Sequence, residues 1–182
     1  MHRNSVKTDQ DHRTGDSQTR WCFREEVVAS DRDAVRSITK STGFFREHEV
    51  AVAVELVDER LNRGTASGYY FVFAESDGEA IGYACFGPTA CTLGSFDLYW
   101  IAVRPEFQCQ GLGRLLLNQV ERKIGAAGGQ RIYVDTSGQF KYEPTRRFYE
   151  HNGFHCEARL ADFYAPGDDR LIYAKFVTAI NT

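Results

Sequence analysis

The chain has 182 residues, of which 42% are apolar and 13% aromatic, which suits one compact domain and is too little for two ordinary ones. Its formal net charge is −3 and its charged residues are scattered, which argues against nucleic acid as a partner. No apolar run approaches the roughly 20 residues that span a bilayer, and the N-terminus lacks the apolar segment of a secretory signal. We therefore expect a soluble cytoplasmic protein without membrane contact.

The cysteines and the N-terminus limit the remaining possibilities. Residues 1–20 contain one Val and one Met as their only clear hydrophobic residues, so we predict a disordered leader there and a single domain over residues 21–182. The five cysteines are widely spaced and include no C-x-x-C pair, so neither a disulfide framework nor a zinc site is indicated. They are Cys22, Cys85, Cys91, Cys109 and Cys156.

The first part of the domain predicts one strand and two helices. Residues 21–28 have the composition of a strand. Ser30 is a typical N-cap for a first helix, which Gly43 would end. From Arg46 to Leu61, apolar residues recur at spacings of three and four, which predicts a second helix.

Three strands follow. The β-rich runs 68–75 and 79–87 flank Ser76-Asp77-Gly78, a turn sequence that predicts a hairpin. A third run, residues 95–103, ends at Arg104-Pro105 because proline cannot donate to a strand ladder.

The last part of the domain alternates helices and strands. We predict a helix from Gly111 to Ile124, a strand over 128–136, a short helix from Pro144 to Asn152, and strands at 154–160 and 169–176. A hairpin-linked middle excludes an all-parallel sheet. The predicted fold class is α/β of the α+β type, a single three-layer domain. Its central sheet would be mixed, mostly antiparallel and about seven-stranded, with helices on both faces.

The joint between strand 95–103 and the next helix has the features of an anion site. A helix that opens directly from a glycine-containing loop presents unpaired N–H groups at the positive end of its dipole, where phosphate binds. Gly111 and Gly113 permit close approach of an anion, and Arg114 adds positive charge. The Walker A pattern does not match, because Arg114 stands where it requires Lys. The dinucleotide pattern does not match, because Leu116 stands where it requires its third Gly.

Two motifs resemble a known family. Gln108-x-x-Gly111-x-Gly113 directly after a strand resembles the acetyl-coenzyme A loop of the GNAT superfamily of N-acetyltransferases. Residues 146–154, "RRFYEHNGF", resemble the same superfamily's later Phe-Tyr and Gly-Phe motif. The resemblance implies the acyl-CoA N-acyltransferase fold, acetyl-CoA as cosubstrate and a primary amine of a small molecule or a protein as acceptor, with direct attack in a ternary complex. Monomer and homodimer both stay open.

The resemblance also implies which residues bind the cosubstrate. The pantetheine arm would lie between strand 95–103 and strand 131–136 and bond the first of them like an added strand, along Ile101, Ala102 and Val103. The pyrophosphate would be held by Gln108, Cys109, Gln110, Gly111, Leu112, Gly113 and Arg114. Cys109 is interpreted as an incidental small side chain rather than a redox group.

Catalysis requires a proton acceptor, because a lysine-like amine with a pKa of about 10.4 arrives protonated. Asp97 and Asp135 lie inside apolar strands, where burying a charged side chain costs free energy and therefore suggests a specific role. By resemblance, Asp97 matches the glutamate base of the histone-acetyltransferase branch, and Asp135 the acidic residue of ribosomal-protein acetyltransferases. A structural role is an open alternative for each, and Asp97 is preferred as base. Strand alternation predicts Asp97, Tyr99 and Ile101 on one face and the even-numbered residues on the other.

The resemblance implies that Tyr149 places its hydroxyl beside the thioester sulfur and donates to the departing thiolate; the alternative is a core tyrosine. The acceptor groove would lie between residues 41–50 and 162–169. Asp162, Asp168 and Asp169 would make its rim acidic, which suits a cationic amine.

Two other functions stay open. One is a catalytically silent acyl-CoA binding module that signals thioester levels to a partner. The other is an interaction domain that does not bind coenzyme A. Asp97, Asp135 and Tyr149 together favour the enzyme, and no metal is expected.

Overall fold

A seven-stranded mixed sheet separates two helical layers in the computed structural model, which describes residues 21–177. The strands are β1 (Cys22–Arg24), β2 (Tyr70–Ser76), β3 (Glu79–Pro88), β4 (Ser95–Val103), β5 (Arg131–Ser137), β6 (His155–Ala165) and β7 (Asp168–Phe176). The helices are α1 (Asp31–Ser41), α2 (Glu47–Arg63), α3 (Leu112–Ala126) and α4 (Glu143–His151), with short 3₁₀ segments at Gly64–Ser67, Pro105–Phe107 and Phe140–Tyr142.

The sheet order is β1-β2-β3-β4-β5-β7-β6, and every neighbouring pair is antiparallel except β4 and β5. The element order and the mixed sheet confirm the predicted fold class. The leader predicted for residues 1–20 lies outside the described residues. Within residues 21–177, no helix is both long and apolar enough to cross a bilayer.

Each face of the sheet carries its own hydrophobic core. On one face, α3 contributes fully buried Leu116, Leu117 and Val120, together with Tyr149 of α4. On the other face, α1 and α2 bury residues such as Val35, Ile38 and Val57 against aromatic side chains of β2 and β3. Burying each such side chain contributes about 1.5–3 kcal/mol, so both helical layers are firmly attached to the sheet.

The β2–β3 turn confirms the predicted hairpin. Ser76 pairs with Glu79, which leaves the two-residue turn Asp77-Gly78. Both turn residues have positive φ, 52° and 81°, as a type I′ turn requires.

The N-cap position of α1 is predicted correctly, but its side chain makes no cap bond. Ser30 is the N-cap residue, has helical backbone angles and makes no side-chain cap hydrogen bond. The side-chain bonds at this end come from Asp31, the first helical residue, whose carboxylate accepts the N–H of Val28 at 2.8 Å and pairs with Arg24 at 2.9 Å. Arg24 also bonds Glu75 at 2.7 Å, so these charges fix α1 to β1 and β2.

Strand β4 contains a β-bulge, which makes the predicted alternation of its faces wrong. Cys85 pairs with Trp100 and Phe86 with Leu98, so Tyr99 has no partner residue in β3. One extra residue reverses the alternation beyond it. Leu98 and Ile101 consequently both pack on the α3 side, where strict alternation would separate them.

Gly87 is required beside this bulge. A Cβ there would lie 2.2 Å from the carbonyl oxygen of Gly68 and 3.1 Å from Cε2 of Tyr99. We expect Gly87→Ala to lower the free energy of unfolding by about 1–3 kcal/mol, measured by urea denaturation. Gly125→Ala is the control with the opposite expected sign. It lies in α3, its Cβ would meet only Val177 at 3.4 Å, and it should stabilise by about 0.5–1 kcal/mol. Equal effects of the two changes would contradict the steric account.

Candidate active site

A fork in the sheet opens into a cavity among the described residues. Strands β4 and β5 pair only from Ser95 to Asp97 on β4 and from Arg131 to Tyr133 on β5. Beyond that point β4 remains paired with β3, and β5 remains paired with β7. The bulge at Tyr99 comes directly after the last pair, and bulges bend the strand that carries them. A cavity of about 770 Å³ opens in the fork.

The predicted arm-binding residues line this cavity. Ile101, Ala102 and Val103 form one side of the fork. The N–H of Arg104 bonds the carbonyl of Ile81 in β3 at 2.9 Å. Because successive residues of a strand alternate the direction of their main-chain groups, those of Ile101 and Val103 point into the fork. The methyl group of Ala102 lies instead in the core of the α1 and α2 face.

The loop from Gln108 to Gly111 has an unusual backbone. Cys109 and Gly111 both have positive φ, 56° and 87°, and Gly111 is the N-cap of α3. The side-chain amide of Gln108 donates to the carbonyl of Val103 at 2.8 Å, which ties the loop to the end of β4. Of the seven predicted loop residues, Gln108, Cys109, Gly111, Gly113 and Arg114 line the cavity. Leu112 is buried in the core, and the side chain of Gln110 donates to the carbonyl of Glu106.

This loop presents a row of main-chain donors. Within residues 21–177, no hydrogen bond is made by the N–H groups of five residues: Cys109, Gly111, Leu112, Gly113 and Arg114. Such a cluster at a helix N-terminus binds anions, and phosphate in particular.

Tyr149 reaches the cavity from α4. Its ring is 4% exposed and packs against Phe148, Phe154 and Tyr173, with ring centroids 5.5–6.1 Å away. Tyr149 is one of the residues that line the cavity, and its hydroxyl makes no hydrogen bond to any of the described residues. Burial raises the pKa of this hydroxyl, and the charge of Asp135 raises it further. Tyr149 therefore stays protonated at neutral pH and is available as a donor.

Asp135 also lines the cavity, two residues beyond the last β4–β5 pair. Its carboxylate forms an ion pair with Arg170 of β7, which lies two residues from Ile172, the register partner of Asp135 in that strand. The guanidinium of Arg170 also lies over the ring of Phe163, 4.9 Å from its centroid. Asp135 is thus held in place and partly neutralised by a fixed cation.

Asp97 lies at the point where the fork begins, opposite Tyr133. It is half-buried and accepts a hydrogen bond from the hydroxyl of Thr89 at 2.9 Å. Burial raises the pKa of Asp97, and the nearby charge of Asp135 acts in the same direction, while the Thr89 bond and Arg170 oppose them. Asp97 does not itself line the cavity among the residues described, so its contact with a substrate would need a bridging water.

Both segments expected to form the acceptor groove contribute to the cavity wall. Phe44, Phe45 and Glu49 come from the α1–α2 region, and Tyr164 and Asp168 from the β6–β7 hairpin.

The expected acidic rim, however, is mostly wrong. Asp169 pairs with Arg159 and accepts the N–H of Asp162 at 2.9 Å. Asp162 in turn accepts the N–H of Gly167 at 2.6 Å. These two carboxylates stabilise the irregular hairpin between β6 and β7, and only Asp168 faces the cavity.

Sequence reasoning missed several partners of the site. Thr89, which directly follows β3, binds Asp97, and Arg170 of β7 binds Asp135. Only the sheet register could have indicated these partners. Arg146 donates to the carbonyls of Ser137 and Gln139 at 2.9 Å. It therefore stabilises the turn between β5 and α4.

Comparison with known proteins agrees with this geometry. A family model described as an acetyltransferase (GNAT) domain matches residues 67–156. The crystal structure of a proposed GNAT-family acetyltransferase from Desulfovibrio desulfuricans is 51% identical, with a TM-score of 0.86, covering 87% of this chain and 99% of that one.

Two more distant structures share the fold. The ribosomal-protein-S18-alanine N-acetyltransferase of Escherichia coli is 19% identical, with a TM-score of 0.67 over 88% of this chain and 96% of its own. The PaiA N-acetyltransferase of Thermoplasma acidophilum, solved with coenzyme A, is 18% identical, with a TM-score of 0.65 over 85% and 99%.

The family model and the 51% identical structure together identify an acyltransferase. The chain belongs to the GNAT family of acetyltransferases.

The buried charge of Asp97 predicts an unusual stability profile. Because its pKa is raised on folding, the folded chain binds this proton more readily than the unfolded chain. The contribution of Asp97 to stability therefore falls as pH rises from its ordinary value, near 3.8, through the raised one. We expect Asp97→Asn, which stays neutral and can still accept from Thr89, to have a Tm at pH 7 no lower than that of the unmodified protein.

The Tm difference between Asp97→Asn and the unmodified protein should shrink as pH falls below the raised pKa of Asp97. Thermal unfolding at a series of pH values measures this difference. Thr89→Val is the companion variant, because it removes the bond that stabilises the Asp97 charge and should lower the Tm at pH 7. A loss of stability in Asp97→Asn that is largest at neutral pH would contradict the assignment.

Proposed function

We propose that the protein transfers the acetyl group of acetyl-CoA to a primary amine, by direct attack in a complex that holds both substrates. The observation that carries this proposal is one continuous cavity that joins the donor row of the Gln108–Arg114 loop to the free hydroxyl of Tyr149 and the carboxylate of Asp135.

The residues of the cavity fit the cosubstrate. Five unpaired main-chain N–H groups at the start of α3 suit a pyrophosphate. Main-chain groups of Ile101 and Val103 face the fork and suit the amides of a pantetheine arm, in the manner of an added strand. The donors are fixed by the fold before a ligand arrives, so little ordering cost is left for binding. When bound there, acetyl-CoA supplies an acetyl thioester, an electrophilic carbonyl with a thiolate leaving group.

We assign the removal of the amine proton to a carboxylate at the fork. Asp97 is the preferred base, because burial raises its pKa and makes it a better proton acceptor than an exposed aspartate. Asp135 faces the cavity directly, but its carboxylate is already engaged in an ion pair with Arg170. In this assignment Asp97 accepts the proton through water, and Asp135 attracts the cationic amine.

Tyr149 is assigned as the donor to the departing thiolate. The raised pKa of its hydroxyl keeps it protonated at any pH at which the enzyme would operate, and its lack of a protein partner leaves the proton available. The packing of its ring against three aromatic neighbours restricts the direction of that donation.

A catalytically silent acyl-CoA sensor is the second candidate. The Asp135–Arg170 ion pair favours it, because the carboxylate that faces the cavity is already engaged. The two candidates differ in one measurement, the incubation of the protein with acetyl-CoA and a broad panel of amines followed by mass spectrometry. An acetylated amine supports the enzyme. Tight binding of acetyl-CoA without any acetylated product supports the sensor.

The cosubstrate assignment predicts a selective effect at Gly111. Gly111 and Gly128 flank α3 with φ of 87° and 78°, and a Cβ at either meets nothing within 4 Å. Alanine should cost each about 1–2 kcal/mol of stability through the same backbone strain. Because Gly111 lines the cavity and Gly128 does not, we expect Gly111→Ala to weaken coenzyme A binding about tenfold or more in calorimetry. Gly128→Ala should leave that affinity within about twofold, and a similar loss in both would count against this binding site.

The leaving-group assignment predicts a catalytic effect at Tyr149. We expect Tyr149→Phe to lower kcat by about 10² or more with an identified acceptor, because the packing is kept and only the donor is lost. Tyr173→Phe is the matched control: its ring is equally buried, but its hydroxyl donates to Glu150 at 2.9 Å. Steady-state kinetics should show kcat of this control within about threefold of the unmodified enzyme. An unchanged kcat in Tyr149→Phe removes Tyr149 from the mechanism.

A further inference from the structure

One part of the cavity wall combines aromatic rings with two carboxylates that have no cation. It consists of Phe44, Glu49, Tyr142, Tyr164 and Asp168, all of which line the cavity, and is called the acceptor wall below.

The acceptor wall is held together by hydrogen bonds between distant parts of the chain. The hydroxyl of Tyr142 donates to the carbonyl of Phe44 at 3.1 Å, and the ammonium of Lys141 donates to the same oxygen at 3.2 Å. The rings of Phe44 and Tyr142 are in contact, with centroids 5.5 Å apart. The α1–α2 loop is thereby attached to the segment before α4, so the wall is formed before a ligand binds.

The two carboxylates lie close to both tyrosines. Glu49 and Asp168 each raise the pKa of the Tyr142 hydroxyl and of the Tyr164 hydroxyl, in addition to the effect of burial. All four groups therefore share one neighbourhood of the cavity.

Asp168 is the unusual member of this group. The residue is only 4% exposed, its Oδ1 accepts from the hydroxyl of Ser137, and its Oδ2 makes no hydrogen bond within the described part of the chain. Glu49 accepts the main-chain N–H of Arg46 at 2.7 Å. No ion pair neutralises either carboxylate among residues 21–177. A buried carboxylate without a cation is costly, so a positively charged ligand would relieve that cost.

The cations of this region do not take that position. Arg170 pairs with Asp135. Lys141 is bonded to the Phe44 carbonyl at the surface, and its ammonium lies 4.9 Å from the centroid of the Tyr142 ring. Arg46 lowers the pKa of Tyr142, so its charge is nearby, and His48 also lines the cavity; neither forms an ion pair with Glu49 or Asp168 in residues 21–177.

The acceptor wall adjoins the reaction centre along β5. Asp135 and Ser137 are two residues apart on that strand, and the hydroxyl of Ser137 donates to Asp168 of the wall. Tyr149, Asp135 and Asp168 all line the same cavity. A molecule with one amine near Tyr149 and Asp135 would therefore have the wall within the same cavity.

We propose that the acceptor wall binds a second cationic group of the acceptor, with Asp168 as the residue that determines this specificity, so that the preferred acceptor is a small aliphatic diamine. One ammonium rests between the carboxylates and against the aromatic faces, which attract cations, while the other amine is acetylated. A small molecule is favoured over a protein chain because the Phe44–Tyr142 ring contact and the bond from the Tyr142 hydroxyl to the Phe44 carbonyl join the two segments that border the wall.

This inference rests on the proposed acetyl transfer, and its test separates the two. Linear diamines of three to six carbons are compared with n-alkylamines of matched length and with ω-amino acids, which place a carboxylate at the far end. We expect kcat/KM for the best diamine to exceed that of its monoamine about tenfold or more, and ω-amino acids to be the poorest acceptors.

The variant that tests the wall is Asp168→Asn, which keeps an acceptor for Ser137. Its ratio of diamine to monoamine kcat/KM should fall about tenfold. Asp162→Asn is the control, with the same substitution in the same hairpin at a residue whose φ of 52° asparagine tolerates; its ratio should be unchanged. Should Asp168→Asn fail to fold, Glu49→Gln carries the test, with a reduced ratio expected.

Calorimetric titration of the diamine into the protein saturated with coenzyme A gives a readout that is independent of catalysis. Binding that Asp168→Asn weakens about tenfold supports the wall, even if no amine in the panel is acetylated and the proposed function fails. Equal kcat/KM for diamine and monoamine, a diamine preference unchanged in Asp168→Asn, or a stronger preference for lysine-containing peptides would each overturn the inference.

Discussion

The structure depends on the early end of one parallel strand pairing. β4 and β5 share only three residue pairs, although each continues for several residues beside its other neighbour. Unpaired main-chain groups inside a protein are costly, so a sheet that opens in its middle needs either solvent or a ligand to satisfy them. The open edge of β4 is therefore both the weak point of the sheet and the surface on which an extended, amide-containing molecule can bind.

Close packing links this opening to the two elements that complete the site. A Cβ on Gly113 would lie 3.3 Å from the ring of Phe148, so the first turn of α3 is in near contact with α4. Phe148 precedes Tyr149, and the core beneath both helices is fully buried at Leu116 and Leu117. The donor row of the loop and the tyrosine hydroxyl are thus fixed relative to one another, which preorganised binding and catalysis both require.

The sequence predicted the elements well wherever a local rule decides them. Asp77-Gly78 specifies a two-residue turn because both residues tolerate positive φ, and Gly153, at φ 84°, follows the end of α4 as expected. The wrong expectations involve competition between distant groups. At the start of α1 the side-chain hydrogen bonds are made by Asp31 and not by the N-cap residue Ser30, because Arg24 and the Val28 N–H both bind the carboxylate of Asp31. The bulge at Tyr99 and the partners of Asp97, Asp135 and Asp169 depend on register between strands, which no local pattern encodes.

The two sides of the cavity come from different parts of the chain. The loop, the fork and α4 all lie within residues 67–156, the range that the family model matches. Phe44, Glu49, Tyr164 and Asp168 lie outside it, in the α1–α2 region and the final hairpin. Substitutions in those outer segments can therefore change which amine is accepted without altering the machinery that handles the thioester. Such a division would let gene duplicates diverge in selectivity through a few changes in these two flanking segments.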